Sequence, residues 1–266
     1  MTITITDELL AEVRYLNASS RGGTTVERLP IVRGAVGFAR PVAPELDAIV
    51  ACSDLQGIVR GLDDRSELLG IAIADTLEEL AHDRVIPPLA RCGAILAGDL
   101  YSVPEANERG GYGDVSEVWA AFAARFAWVA GVAGNHDDVS DVGGDNVHLL
   151  DGDRVEVDGL RIGGVGGIIG NKKKLGRRDE TEFLSLLDRA IGDGADLVVT
   201  HEGARGISGS KQPGKVAIRD TLEAGGVPLA ICGHNHWSDP IAAIEGGHVL
   251  NVDTRCVVLM IRRDAC

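Results

Sequence analysis

Short apolar runs alternate with longer amphipathic segments along the chain from residue 48 onward. The short runs predict strands at 48–53, 93–99, 126–134, 196–202 and 228–234. The amphipathic segments predict helices at 66–83, 114–126 and 179–192. Short strands separated by glycine turns are predicted for 148–167 and 248–263. Alternating strands and helices indicate an α/β fold with largely parallel strands, to which the hairpin-like segments add mixed pairing.

The first 45 residues do not follow this alternation. Residues 7–16 (DELLAEVRYL) predict a helix, and the polar residues 17–30 (NASSRGGTTVERLP) predict a loop or a mobile arm. No internal repeat or long linker divides the rest of the chain. We therefore predict an N-terminal extension or arm, residues 1–45, packed on a single domain formed by residues 46–266.

Composition narrows the classes of function. The chain has 266 residues, of which 45% are hydrophobic, so it can bury a sizeable core. Its formal net charge of −14 disfavours binding to nucleic acids and to anionic membranes. No apolar run approaches the ~20 residues that span a bilayer, and the N-terminus does not resemble a secretory signal. We expect a cytoplasmic protein with no nucleic-acid or membrane partner. The five cysteines are odd in number and lack a CxxC pair, which argues against a disulfide framework.

Each of the five predicted strands is followed by Asp, Asn or His. These residues are Asp54, Asp99, Asn135, His136, Asp137, His201, His234 and His236. Taken singly, an Asp before a Gly is typical of a turn, and GNHD is typical of a polar loop. Side chains at the ends of successive strands of one sheet converge, and carboxylate, amide and imidazole groups are ligands for Mn, Fe or Zn. The combination therefore predicts a metal site, and a carboxylate that bridges two cations would suit phosphoryl chemistry.

The order of these motifs resembles that of the calcineurin-like metallophosphoesterase superfamily. The resemblance covers about residues 48–255 and rests on Asp54-Leu55-Gln56, Gly98-Asp99, Gly134-Asn135-His136-Asp137, His201 and Gly233-His234-Asn235-His236. It implies an α/β fold that is a four-layer sandwich, with two facing mixed β-sheets flanked by helices and the site at one edge. Residues 46–266 would then be the metallophosphoesterase domain.

The resemblance also implies two divalent or transition metal ions, Mn, Fe or Zn, and a role for each motif. Asp99 would bridge the metals, and a metal-bound hydroxide would attack phosphorus. The first metal would be bound by Asp54 and His236, and the second by Asn135, His201 and His234. His136 would act as the acid toward the leaving group, with Asp137 holding its ring. The family has His where this chain has Gln56, so we predict a weaker oxygen ligand and a loosely bound first metal.

Two basic segments are candidates for substrate contacts. One, residues 107–113, contains Arg109, and the other, residues 171–178 (NKKKLGRR), contains Lys173 and Arg177. Both are also consistent with solvated loops. If they face the site, the expected partner is a small phosphorylated substrate.

The leading prediction is a metal-dependent phosphomonoesterase or phosphodiesterase. The alternative is a degenerate, non-catalytic member of the same fold that binds metal or ligand and serves regulation. Gln56 favours the alternative, and the other motif residues oppose it. A thiol-dependent enzyme is disfavoured, because Cys232 lies within an apolar strand rather than at its end.

Overall fold

A computed structural model describes residues 1–19, 22–61, 66–108, 110–207 and 209–263. In chain order the strands are β1 (Thr2–Ala18), β2 (Thr24–Gly37), β3 (Ala48–Ser53), β4 (Ile58–Arg60), β5 (Ser66–Leu68), β6 (Cys92–Leu96), β7 (Gly113–Asp114), β8 (Trp128–Gly131), β9 (Asp137–Asp138), β10 (Val147–Leu149), β11 (Asp153–Val157), β12 (Leu160–Val165), β13 (Ile168–Ile169), β14 (Arg177–Arg178), β15 (Leu197–Thr200), β16 (Leu229–Cys232), β17 (Ile241–Ile244), β18 (Gly247–Asn251) and β19 (Arg255–Ile261). The helices are α1 (Leu69–His82), α2 (Ser116–Ala123), α3 (Glu180–Ile191) and α4 (Val216–Ala224).

Two mixed sheets contain most of these strands. The larger has the order β10-β8-β6-β3-β19-β2-β1-β4-β5, and the smaller has the order β11-β12-β15-β16-β18-β17. Strands β3, β6, β8 and β10 run parallel in the larger sheet, as do β12, β15, β16 and β18 in the smaller one. Antiparallel partners, such as β19 beside β3 and β11 beside β12, complete the sheets. The mixed α/β fold and all five predicted strands are confirmed.

The two faces of β3 pack against different partners, because successive side chains of a strand point to opposite faces. Val50 belongs to an apolar cluster that includes residues of α1 and α2. Its neighbour Ile49 belongs to a second cluster, which contains residues of both sheets. A third cluster joins the smaller sheet to α3 and α4 through Phe183 and Ile218. Every residue of β3 is buried, which explains why its sequence is a continuous apolar run.

The helices are short and lie close to their predicted positions. α3 begins where the acidic residues indicated, and the side chain of Asp179 caps it by accepting a hydrogen bond from the backbone N–H of Glu182. α4, a helix of nine residues that buries Ile218 and Leu222, was not predicted from the sequence. Within the described ranges, no helix is both long and apolar enough to cross a bilayer.

The prediction of a helix and a loop in the N-terminal segment was wrong. β1 and β2 form a long antiparallel pair, and β2 also runs parallel to β19. Burial alternates along β1, where Val13 and Tyr15 are buried and Arg14 is exposed. That period of two is a strand pattern, and pairing with β2 outweighs the helix propensity of the Glu, Leu and Ala residues. The proposed boundary near residue 45 stays a prediction.

Candidate metal centre

The polar motifs lie where strands of both sheets end. Asp54 directly follows β3, and Asp99 and Asn135 follow β6 and β8 by a few residues. His201 directly follows β15 in the smaller sheet, and the ring of His201 bonds across to the larger sheet through the carbonyl oxygen of Ala97 (2.8 Å). The carboxyl ends of two sets of parallel strands therefore meet at one place, whereas the residues alone predicted convergence at the edge of a single sheet.

Asp99, His201 and His234 form the centre of this place. Their candidate ligand atoms all lie within 4.8 Å of one another. Nε2 of His201 is 3.3 Å from Oδ1 of Asp99, while Nδ1 faces Ala97. With Nδ1 acting as donor to Ala97, Nε2 is the nitrogen that faces the centre, where it can carry a proton toward Asp99 or, once deprotonated, bind a cation. Burial lowers the pKa of His234 to about 4, so its imidazole is neutral near pH 7, the form that binds metals.

Two buried atoms at the centre have no hydrogen-bond partner in the described part of the chain. They are Oδ1 of Asn135 and Nε2 of His201. Leaving such atoms unpaired costs about 1–3 kcal/mol each. Oδ1 carries lone pairs, and Nε2 gains one when the proton that Asp99 favours leaves the ring, so a cation that displaces this proton would satisfy both atoms. Asp99, Asn135, His201 and His234 therefore fit a metal ion, in agreement with the set that the resemblance implies for the second metal.

The electrostatics of the centre also favour a cation. Burial raises the pKa of the Asp54 carboxyl well above its usual range, and the charges of Asp253 and Asp99 add to this although His201 opposes it. Burial tends to lower the pKa of His201, but the charge of Asp99 outweighs it and raises that pKa to about 10. The carboxyl groups of Asp54, Asp99 and Asp253 thus share one region of low dielectric, where negative charge is costly unless it is paired. A bound cation would offset it.

The motif glycines have a steric explanation. A Cβ atom at Gly134 would collide with Asp99, and one at Gly233 would collide with the side chains of Ser53 and Asp54. Asp54, Asp99 and His234 themselves have φ values of 55°, 55° and 66°. Non-glycine residues in this left-handed region are strained, and such strain clusters at functional sites.

The residues implied for the first metal are arranged differently. Nε2 of Gln56 lies 3.0 Å from Oδ2 of Asp99. Because a carboxylate only accepts hydrogen bonds, the amide presents its NH₂ group, so ligation by the amide oxygen stays a prediction that requires the amide to turn. His236 is not part of the group formed by Asp99, His201 and His234, and its side chain is 60% exposed. Nδ1 of His236 is 2.9 Å from Asp253. Asp253 stands in no predicted motif, although a carboxylate on one nitrogen is typical of a metal-binding histidine.

The predicted role of Asp137 in holding the ring of His136 was wrong. The Asp137 carboxylate accepts hydrogen bonds from the backbone N–H groups of Leu100, Tyr101 and Gly134, and none from the imidazole of His136. Nδ1 of His136 instead faces the carbonyl oxygen of Gly111. Asp137 is buried, and its carboxylate satisfies one N–H group of its own turn, at Gly134, and two of the loop that follows Asp99. It therefore joins the GNHD loop to the loop after Asp99, and Gly111 orients the ring.

The basic segments differ in their relation to the centre. Arg109 lies outside the described residues. In the segment 171–178, Gly176 packs directly against the backbone of Asn135, and Arg177 lines a cavity of about 290 Å³ together with His234. Lys173 is exposed. Lys215 lines the same cavity but was not predicted as a site residue, because it belongs to no recognisable sequence motif.

Comparisons with known proteins agree with this geometry. A sequence model of the calcineurin-like phosphoesterase family matches residues 48–238. No curated protein matches the chain. The fold is similar to that of the protein TT1561 of Thermus thermophilus, with a TM-score of 0.52 and 16% identity over 77% of this chain and 88% of that chain.

Two further solved structures overlap less closely. The purple acid phosphatase PPD1 from yellow lupin (Lupinus luteus) has a TM-score of 0.45 and 13% identity, over 94% of this chain and 51% of that chain. A single mutant of Vps29 from Entamoeba histolytica has a TM-score of 0.34 and 12% identity, over 77% and 72%. The family match spans well over half of the chain and includes every motif residue discussed above, so this chain belongs to the calcineurin-like phosphoesterase family.

Proposed function

We propose that this protein is a metal-dependent phosphoester hydrolase, a phosphomonoesterase or phosphodiesterase that acts on a small phosphorylated molecule. The observation that carries the proposal is the pair of buried atoms without a hydrogen-bond partner, Oδ1 of Asn135 and Nε2 of His201, beside the Asp99 carboxylate. Membership of the family supports the same chemistry. The three apolar clusters support a four-layer order of helices, sheet, sheet and helices as the frame of the site.

The centre would hold up to two metal ions, with Mn, Fe and Zn as candidates. Asp99, Asn135, His201 and His234 would bind one, and Asp54, Asp99, His236 and Gln56 are the candidates for the other. When bound, such ions activate water and neutralise charge on the phosphoryl oxygens.

His136 would supply the proton that the leaving group needs. Nε2 of His136 lies 3.9 Å from Oδ2 of Asp99, so this nitrogen faces the centre, while Nδ1 is held by Gly111. The protonated ring would donate from Nε2 to the departing oxygen as its bond to phosphorus breaks. The backbone N–H of His136 also donates to Oδ1 of Asp99 (3.0 Å), which couples the position of the ring to that carboxylate.

One observation favours a second candidate function. The amide of Gln56 donates to Asp99, the carboxylate on which a two-metal centre depends. A non-catalytic member that binds one metal or a ligand would retain this arrangement.

The two functions are separated by measuring metal content and turnover on the same preparation. The protein is stripped with a chelator, reloaded with Mn or Fe, and assayed on p-nitrophenyl phosphate and on bis(p-nitrophenyl) phosphate. The hydrolase predicts that activity disappears with the metal and returns with it. Metal binding without turnover of either compound would support the non-catalytic member, and undiminished turnover after verified metal removal would reject metal-dependent hydrolysis.

A further inference from the structure

We infer that the cavity between Arg177 and Lys215 is an anion-binding subsite, which accepts a second negatively charged group of the substrate. The inference rests on the proposed function and narrows it to phosphorylated molecules with two anionic groups. The cavity has a volume of about 290 Å³ and is also lined by His234, Asn235 and Glu202. A substrate whose phosphoryl group lies at the metal centre could therefore extend directly into it past His234.

Arg177 and Lys215 are half-buried cations that lack a directly bonded partner. Neither side chain makes a hydrogen bond or an ion pair with any described residue, although the charge of Lys215 acts on the pKa of the nearby Glu202 carboxyl and opposes the rise that burial causes. Every other lysine or arginine within the described ranges either bonds a protein oxygen or is exposed. The adjacent Arg178, for example, is bound to Asp151 at 2.6 Å. The chain has 40 acidic and 26 basic residues, so a bonded carboxylate partner for each half-buried cation would be easy to provide. Two half-buried cations without such a partner on one cavity therefore indicate an anionic ligand.

The backbone at Arg177 and at Lys215 is anchored beside the centre. Arg177 pairs with Ile168 in the β13–β14 ladder, and the preceding Gly176 packs on Asn135. The backbone N–H of Lys215 donates to the carbonyl oxygen of Gly203 (2.9 Å), two residues after His201. The backbone of each residue is thus tied to a segment that carries a candidate metal ligand.

Glu202 limits the charge that the subsite can accept. Glu202 as a whole residue is 2% exposed, and its carboxylate accepts hydrogen bonds from the backbone N–H of Ile169 (3.2 Å) and the amide of Asn235 (3.3 Å). Two cations and one carboxylate leave the cavity with a net positive charge, which suits a single phosphate or carboxylate group. Arg177 can bind two oxygens of such a group side by side, while Lys215 adds a point charge.

The experiment uses probes that cannot be hydrolysed, so that binding does not depend on turnover. Titration calorimetry on the Mn-loaded protein compares propylphosphonate with its analogues that carry a terminal carboxylate or a terminal phosphonate. We expect the wild-type protein to bind the better of the two doubly anionic probes at least roughly tenfold more tightly than propylphosphonate, about 1.4 kcal/mol. Which analogue binds better identifies the second group as carboxylate or phosphate.

The variants Arg177→Gln and Lys215→Gln, singly and together, should reduce this preference, and the double variant should abolish it. Lys211→Gln is the matched control, because Lys211 is exposed on the same segment and should retain the preference. Metal content and thermal midpoint are measured for every variant. Equal affinity of the wild-type protein for all three probes, or a preference that survives in the folded double variant, would overturn the inference. A preference for two anionic groups in a protein that hydrolyses no phosphoester would instead reject the proposed hydrolase and leave the subsite standing.

Discussion

The amide nitrogen of Gln56 lies 3.0 Å from Oδ2 of Asp99. Because the carboxylate can only accept, this contact is a hydrogen bond donated by Gln56 to the residue that would bridge two metals. The amide N–H therefore competes with the first metal for the same oxygen. An imidazole at this position would bind the metal directly, whereas the amide must turn before its oxygen can do so.

We expect the two metal sites to differ in affinity for this reason. Titration of the stripped protein with Mn should show one tight site and one weak site, and Gln56→His should tighten the weak site at least roughly tenfold. Gln56→Ala should leave the tight site in place and affect only the weak one. Two equal affinities in the wild-type protein, or no change in Gln56→His, would show that Gln56 does not control the first site.

Asp99→Ala should remove metal from both sites. Changes to residues that only support a metal ligand already cost roughly 10–100-fold in affinity, so loss of a shared ligand should cost more. The measurement is the metal content after dialysis, with turnover as a second readout. Asp220→Ala, at an exposed position of α4, is the control for loss of one negative charge. Retention of a full metal complement in Asp99→Ala would contradict its assignment.

His136→Ala should keep its metals and lose turnover by roughly 10²–10⁴-fold on substrates with poor leaving groups. The loss should shrink for p-nitrophenyl phosphate, because p-nitrophenolate departs with little protonation. Comparing kcat/KM for phenyl phosphate and p-nitrophenyl phosphate measures this difference. An equal loss on both compounds would assign His136 to binding rather than to proton transfer.

Ile31→Ala tests whether the N-terminal segment is part of the folding unit. Ile31 in β2 is fully buried in the cluster that includes α1 and α2, so its truncation should lower the free energy of unfolding by about 2–5 kcal/mol. Val26→Ala in the same strand is the control, since Val26 is 55% exposed and should change stability by less than about 0.5 kcal/mol. Urea titration of the three proteins measures both effects. Equal free energies of unfolding for the wild-type protein and both variants would indicate that residues 1–45 form a peripheral arm.

Cys92 should make stability depend on alkaline pH. Burial and the charge of Asp47 raise the pKa of this thiol to about 12, above the value of about 8.5 in the unfolded chain. The raised pKa favours the neutral thiol in the native state, so its contribution is complete below about pH 8.5 and decreases as pH rises toward 12. Between about pH 8 and about pH 9.5, the wild-type protein should lose about 1.3 kcal/mol more unfolding free energy than Cys92→Ala. If the wild-type protein and Cys92→Ala lose the same unfolding free energy between the two pH values, as measured by urea titration, the raised pKa of Cys92 is refuted.

Much of the fold and the composition of the site were predictable because their signals are local. A buried strand such as β3 has a continuous apolar sequence, and the polar residue that follows it in a parallel arrangement reaches the edge of the sheet. The motif glycines mark the turns at these edges. The types and order of Asp54, Asp99, Asn135, His201 and His234 therefore indicated both the place and the chemistry of the centre.

Pairing, orientation and charge balance depend on residues far apart in the chain. β2 is a strand because it lies between β1 and β19, and no pattern within residues 17–30 identifies a partner more than two hundred residues away. The amide of Gln56 donates to Asp99 because a carboxylate, which cannot donate, faces it across the site. Lys215 becomes a candidate for ligand binding only because the folded chain places it on the same cavity as Arg177. The sequence around neither residue indicates that cavity. Sequence patterns thus specify which groups reach the edge of a sheet, and the packing of distant segments decides which atoms of those groups meet.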